Sequence, residues 1–351
     1  MGIARRSLLA GAAGIAGGSI GFSRAQAEVP ANLTVVGFGG ALQEAFRNAL
    51  WQPYAAKEGI KLTEESYEGG IARLKAMVTS NATTWDVVQM DENEMILAGD
   101  EGLLERFNWT GFPGAASIRP EAKSDYGVGA FVWSEILAYD AARTTGIGGW
   151  SDLWDTKRWP GRRALRKQAR MTLEVALLAD GLAPAAIYPA LETKAGVDRA
   201  FAKLDQIKPK VQWWESGAQP LEWLASGEVV MAAAYNGRVA AARASGRDFR
   251  ICWANQLYAM DFWAFPKKSK SSEAAQRLVS YMVSAEGQAR FAQAIPYGLT
   301  NAAASASLPQ ALQDQLPTSP SHLEGALLIN TPFWVDHEEE LQRRFSLWVS
   351  K

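Results

Sequence analysis

The chain has 351 residues, 36 Lys and Arg against 37 Asp and Glu, and a formal charge of −1. So even a balance gives no electrostatic reason to bind nucleic acid, and that class is set aside. One cysteine and two histidines leave no disulfide framework and no metal-ligand spacing such as His-x-x-x-His.

Residues 1–27 read as a cleavable export leader. Arg5 and Arg6 supply the basic start, and Leu8 to Phe22 form an apolar stretch rich in Gly and Ala. Ala25-Gln26-Ala27 offers the small residues before a cut at Glu28. The run Arg5-Arg6-Ser7-Leu8-Leu9 looks like a twin-arginine motif, with an ordinary secretory leader as the alternative. The apolar stretch is shorter than the roughly 20 residues of a membrane span. The expected mature chain, 28–351, is periplasmic and soluble, carries −4, and is long enough for two domains.

Leu33 to Phe38 reads as a strand, and Gly39-Gly40 then leads into a helix from Leu42. A strand ending in Gly-Gly before a helix brings backbone N–H groups to a ligand. Ile60 to Glu65 and Trp85 to Met90 are further strands. Between and after them, Ile71, Leu74, Lys75 and Val78, then Asn93 to Ala98, keep helical spacing. This alternation predicts an α/β fold with a mostly parallel sheet covered on both faces. A second region begins after Leu137-Ala138-Tyr139-Asp140. It contains a helix opened by Ser151, a turn at Trp159-Pro160-Gly161 and a helical face of Val197, Phe201, Leu204 and Ile207. A strand over Glu228 to Tyr235 turns at Asn236-Gly237 into another helix. Cys252 is expected to be a buried core thiol, and Trp263 to Phe265 another strand. Ala275, Leu278, Val279, Met282 and Val283 mark a core-facing helical stripe. Loops fill 301–322 before a last helix, Glu338 to Trp348. Fourteen tryptophans are mostly structural, and some are candidates for a pocket whose ring faces attract an organic cation.

No Gly-x-Ser-x-Gly elbow, phosphate loop or dinucleotide fingerprint occurs, so the chain is expected to be no enzyme and to need no cofactor or metal. A distinct series of segments runs in order along it. Asp86-Val87-Val88 is followed by Glu101-Gly102-Leu103-Leu104, and Trp150-Ser151-Asp152-Leu153-Trp154 by Trp159-Pro160-Gly161. Gly227-Glu228-Val229 leads to Tyr235-Asn236-Gly237. Met260-Asp261-Phe262-Trp263-Ala264-Phe265-Pro266 and Pro296-Tyr297-Gly298-Leu299-Thr300-Asn301 complete the series. Through these segments the chain, from Leu33 to Trp348, resembles the periplasmic binding proteins of bacterial ABC importers, of the spermidine/putrescine-binding type.

That resemblance implies the type II periplasmic-binding-protein fold, two α/β lobes joined by two crossing strands around a ligand cleft. Lobe 1 would comprise 28–138 plus 262–351, and lobe 2 139–261, with crossings near Ala138-Tyr139 and Asp261-Phe262-Trp263. It implies a monomer that closes on a small solute and hands it to an inner-membrane permease. Its site residues map onto Phe38 with Gly39 and Gly40, onto Asp91 and Glu92, and onto Trp133, Tyr235, Asp261 and Tyr297. Asp261 would grip an ammonium group; Tyr235 and Tyr297 are equally readable as packing residues. The family places two acids on the second lobe, but here the stretch reads Arg166-Lys167-Gln168-Ala169-Arg170-Met171. Gln168 and Arg170 therefore stand as site candidates. Arg170 would hold a carboxylate by paired hydrogen bonds, which favours an ω-amino acid, an amino-acid derivative or an opine-like compound over spermidine. Solvated surface or structural ion pairs are the alternative for these bases. A sensory role, in which the closed form reports to a receptor, stays open beside import.

Overall fold

The computed structural model describes residues 32–351, and the leader expected at 1–27 lies outside them. β1 (Asn32–Gly37) lies between parallel partners β2 (Lys61–Ser66) and β3 (Val87–Asp91). Leu33, Val35 and Val36 of β1 and Val87 and Val88 of β3 are fully buried. Such apolar, β-branched runs suit inner strands covered on both faces. β2 instead alternates half-buried and exposed residues and carries Lys61, Glu64 and Glu65, the charge pattern of a protected edge. In the second lobe β5 (Arg162–Arg166) lies between parallel β6 (Val211–Trp214) and β7 (Val229–Tyr235).

Two long antiparallel strands, β4 (Gly127–Asp140) and β8 (Phe249–Ala264), run through both lobes. β8 pairs with β3 at one end, and β4 pairs with β7 at the other. The sheet order is therefore β2-β1-β3-β8-β4-β7-β5-β6, with β9 (Leu327–Leu328) added beside β8. The expected parallel pairing holds inside each lobe. The joins are antiparallel because the chain leaves the first lobe on β4 and returns on β8.

The apolar cores mark where the lobes meet. The first core ends at Val132 on β4 and resumes at Met260 on β8; the second-lobe cores take Ile136 and Leu137, then Leu257 and Ala259. β4 thus passes from the first core to the second-lobe cores over Trp133–Glu135, and β8 does so beside Asp261. A third connection crosses through β9 to the C-terminal helix, Thr331–Val349. That helix packs Phe333, Trp334, Leu341 and Phe345 into the second core. The stretch 262–351 is therefore shared between the lobes and does not belong wholly to the first. The reason is apolar: Phe345 and Trp348 meet Trp213 and Phe201, with ring centroids 5.5 to 6.5 Å apart. Cys252 also departs from expectation, being half-buried at a strand position outside the core.

Most tryptophans are structural, with the indole N–H answered. Trp150, Trp154 and Trp159 donate to backbone carbonyls at 2.8, 2.9 and 3.1 Å. Among the described residues no helix is long and apolar enough to cross a membrane.

Candidate functional site

The crossing strands bring a buried acid to the junction of the lobes. Asp261 of β8 lies opposite Asp91 of β3 and Phe131 of β4, and is 6% exposed. Its Oδ2 accepts from Gln89 Nε2 at 2.6 Å and its Oδ1 from Trp133 Nε1 at 2.9 Å. Burial pushes this carboxyl up to about 7, with the Asp91 charge adding to the rise and the two hydrogen bonds opposing it. Both donors are neutral. A buried carboxylate without a cation is costly, so the position calls for positive charge from outside the fold.

Aromatic rings surround this acid. Trp133, at the lobe crossing, packs edge-on to Tyr235 at 5.5 Å, and Tyr235 packs edge-on to Trp214 at 5.6 Å. The Tyr235 hydroxyl accepts from Arg166 Nη1 at 2.5 Å. On the first lobe, Phe38 stacks on Tyr67 at 5.1 Å, and the Tyr67 hydroxyl donates to the Gln89 carbonyl at 2.6 Å. Gly39 adopts φ 73° and ψ −168°, a conformation that a side chain would strain, and Gly40 follows at φ 63°. The Gly-Gly turn therefore lets the chain pass directly from β1 into its helix at the cleft rim.

Tyr297 joins the lobes. Its ring lies 4.7 Å from Phe131 and against Gly237, at the start of helix Asn236–Ala244. Asn236 fixes the contact, accepting from Ser134 N at 3.0 Å and donating to the Pro296 carbonyl at 3.0 Å. Burial holds the Tyr297 hydroxyl at about 12, with Arg238 pulling it down and Asp261 pushing it up. Arg238 is exposed, stands in the first helical turn, and makes no ion pair among the described residues. The helix dipole disfavours a cation there, so fold stability gives no reason for it.

The contact at Gly237 is testable. A Cβ there would stand 2.3 Å from Tyr297 Cζ, so Gly237→Ala must displace the ring. The expected loss is about 1–3 kcal/mol in chemical denaturation, the scale of an overpacked contact. Unchanged stability would show that Tyr297 is not held there.

Arg170 is 6% exposed, with Nη1 3.3 Å from Asp91 Oδ1 on the opposite lobe. Burial works against its charge, yet Asp91, Glu174 and Glu338 together hold its pKa above the ordinary value. Its Nε and Nη2 have no hydrogen-bond partner. Asp91 also caps helix Glu92–Asp100 by accepting from Asn93 N.

Among the residues expected from sequence, Asp91, Trp133, Arg170, Tyr235, Asp261 and Tyr297 come together, with Phe38, Gly39 and Gly40 at the rim. Gln168 is half-buried and lines a concavity with Arg166 and Trp214, beside the Lys167–Glu215 ion pair. Glu92 turns to the C-terminal helix and accepts from Thr331 Oγ1 at 2.7 Å. Gln89, Tyr67, Glu135 and Arg238 were not foreseen. Glu135 is 1% exposed and pushed up to about 7 by burial, with Arg166 opposing. Only for Arg238 was there a local signal, a cation placed directly after a strand–Asn-Gly turn. Among the described residues no cluster of His, Cys, Asp and Glu is suited to a metal.

Comparison with known proteins shows the family. Residues 49–318 match the family described as bacterial extracellular solute-binding protein. The chain is 42% identical over 333 residues to the gamma-aminobutyric acid-binding protein of Pseudomonas aeruginosa PAO1, covering 95% of both chains. It superimposes on an ABC transporter substrate-binding protein from Bradyrhizobium japonicum USDA 110 with a TM-score of 0.84 and 33% identity, covering 91% of this chain and 99% of that one. Against the Atu4243 GABA receptor the TM-score is 0.81 at 31% identity, covering 91% and 98%.

Proposed function

Because the chain belongs to the bacterial extracellular solute-binding protein family and is the substrate-binding component of an ABC transporter, we propose that its solute is a short ω-amino acid such as γ-aminobutyrate. One observation carries this reading: the buried acid Asp261 is met only by the neutral donors Gln89 and Trp133, while Arg238, next to the Gly237 that packs on the Tyr297 phenol, makes no ion pair among the described residues. A zwitterion laid along that phenol meets both charges. Its ammonium replaces the cation that Asp261 lacks, beside the Trp133 ring. Its carboxylate meets the Arg238 guanidinium and the first-turn N–H groups of a helix, a ready anion site. Arg170, read from sequence as the carboxylate holder, gives Nη1 to Asp91 across the lobes, so we assign it to holding the lobes together. The relatives that carry γ-aminobutyrate in their names support the same solute class. A polyamine is disfavoured by three arginines, Arg166, Arg170 and Arg238, around the cleft. We further read the protein as an exported periplasmic monomer that delivers its solute to an inner-membrane permease.

A thermal-shift panel of γ-aminobutyrate, 5-aminovalerate, putrescine, spermidine and a sugar-conjugated amino acid tests the assignment. A solute at a hundredfold excess over Kd stabilises the native state by about 2.7 kcal/mol and raises the unfolding midpoint. The ω-amino acids are expected to do so. Shifts from putrescine or spermidine with none from the ω-amino acids would overturn the assignment.

A further inference from the structure

Three successive residues at the start of helix Glu92–Asp100 each reach a different partner on the second lobe. Asp91 meets Arg170 Nη1 at 3.3 Å, Glu92 accepts from Thr331 Oγ1 at 2.7 Å, and Asn93 Nδ2 donates to Glu338 Oε2 at 3.0 Å. Two of those partners, Thr331 and Glu338, lie a little under two helical turns apart on the C-terminal helix. Thr331 is 1% exposed and Glu92 half-buried, so their contact is largely shielded from water.

The same helix builds the third partner. Gln342 Oε1 accepts from Ala169 N at 2.8 Å, fixing the backbone immediately before Arg170. Met171, immediately after it, is held at φ 71°, left-handed for a residue with a side chain, so this turn depends on such support. Trp334 Nε1 donates to Glu174 Oε1 at 2.7 Å, and the Glu174 charge acts on Arg170. Every contact from Asp91, Glu92 and Asn93 to the second lobe therefore ends on this helix or on a residue that it positions.

We propose that the C-terminal helix is a clasp that sets how long the lobes stay closed on the solute, with Thr331, Glu338 and Gln342 as positioning residues that touch no ligand. Resting on the reading of lobe closure above, it adds that affinity is divided between the solute's own contacts and a ligand-independent contact at the cleft edge. Removing the clasp then affects dissociation, because its contacts belong to the closed form and must break before the lobes reopen. The factor is common to all solutes, since none touches it. By contrast, a change at Asp261 or Arg238 discriminates between solutes.

The test is stopped-flow tryptophan fluorescence on the full mature chain, with γ-aminobutyrate and 5-aminovalerate as probes. Thr331→Val with Glu338→Ala removes both hydrogen bonds and leaves the apolar face of the helix intact. The expected result is a rise in the dissociation rate of roughly tenfold for both probes, the scale of two lost hydrogen bonds. The association rate should change by less than about twofold, and the solute-free unfolding midpoint should stay the same. Gln342→Leu serves as the second variant and is expected to act in the same direction. An unchanged dissociation rate overturns the clasp, as does affinity that falls only in step with global stability. Should wild type bind neither probe, the solute assignment falls. The clasp is then judged by X-ray scattering of the solute-free chain, where a larger radius of gyration in the double variant supports it and equal radii overturn it.

Discussion

Asp261→Asn is expected to weaken γ-aminobutyrate binding roughly thirtyfold or more, the range of about 2–5 kcal/mol for removing one partner of a buried charge pair. The substitution keeps the shape of the side chain and the acceptor for the Trp133 indole. Gln89 has an Oε1 without a partner, so its amide can turn to accept from the new Asn N–H. The solute-free variant should therefore unfold no earlier than wild type at pH 8, where it lacks a buried charge. Calorimetric titration together with thermal unfolding separates the two effects. Affinity within a factor of three of wild type would remove Asp261 from the ammonium site.

The same residue fixes a pH dependence. Burial raises the Asp261 carboxyl to about 7, against about 3.9 in an unfolded chain. In the solute-free protein its contribution to stability is full below about pH 4 and is lost as pH rises through about 7. Glu135 and Glu174, both pushed up to about 7 by burial, add to that slope. An ammonium group binds the ionised form, so affinity should fall as pH drops below about 7, by up to about tenfold per unit, and level off above it. The solute-induced rise in midpoint should accordingly grow between pH 5 and pH 8. A solute response independent of pH over that range would argue against an ion pair at Asp261.

Arg238→Gln is expected to reverse selectivity. Loss of a charge-assisted carboxylate contact, about 1.5–3 kcal/mol, lowers γ-aminobutyrate affinity by roughly 10- to 150-fold. Putrescine has an ammonium in place of the carboxylate, so its binding should hold or improve. Solute-free stability should rise by about 0.3–1 kcal/mol, because a cation leaves a helix N-terminus. Arg170→Gln offers the contrast. It breaks the interlobe pair with Asp91 and should weaken every solute by a similar factor. If Arg238→Gln leaves the ratio of γ-aminobutyrate to putrescine affinity unchanged, Arg238 is not the carboxylate anchor.

The elements with strong local signals were legible in the sequence. Strand β1 ending at Gly39-Gly40 and the stripe Ala275, Leu278, Val279, Met282 and Val283 depend on contacts within one segment, and periodicity reports those. Asp261 also stood out, since a carboxylate set among Met260, Phe262 and Trp263 must be answered by something. β4 did not stand out. Its sequence, Gly127 to Asp140, is buried on both faces for most of its length and so lacks the alternation that marks a strand.

What the sequence determined by itself was an α/β chain without a familiar catalytic motif, which composition, local periodicity and motif spacing report. The two lobes, and an acid expected to meet an amine, were implied by the resemblance that the order of its segments carries. The tertiary structure decided which charges face one another. Arg170 and Arg238 look alike in sequence, but only folding puts Asp91 against the first and leaves the second exposed without an ion pair, next to the Gly237 that packs on Tyr297. It likewise moved the C-terminal helix into the second core, where Thr331 and Glu338 meet residues about 240 positions earlier. Coulomb energy and hydrogen bonding depend on distance in space, and separation along the chain does not encode it.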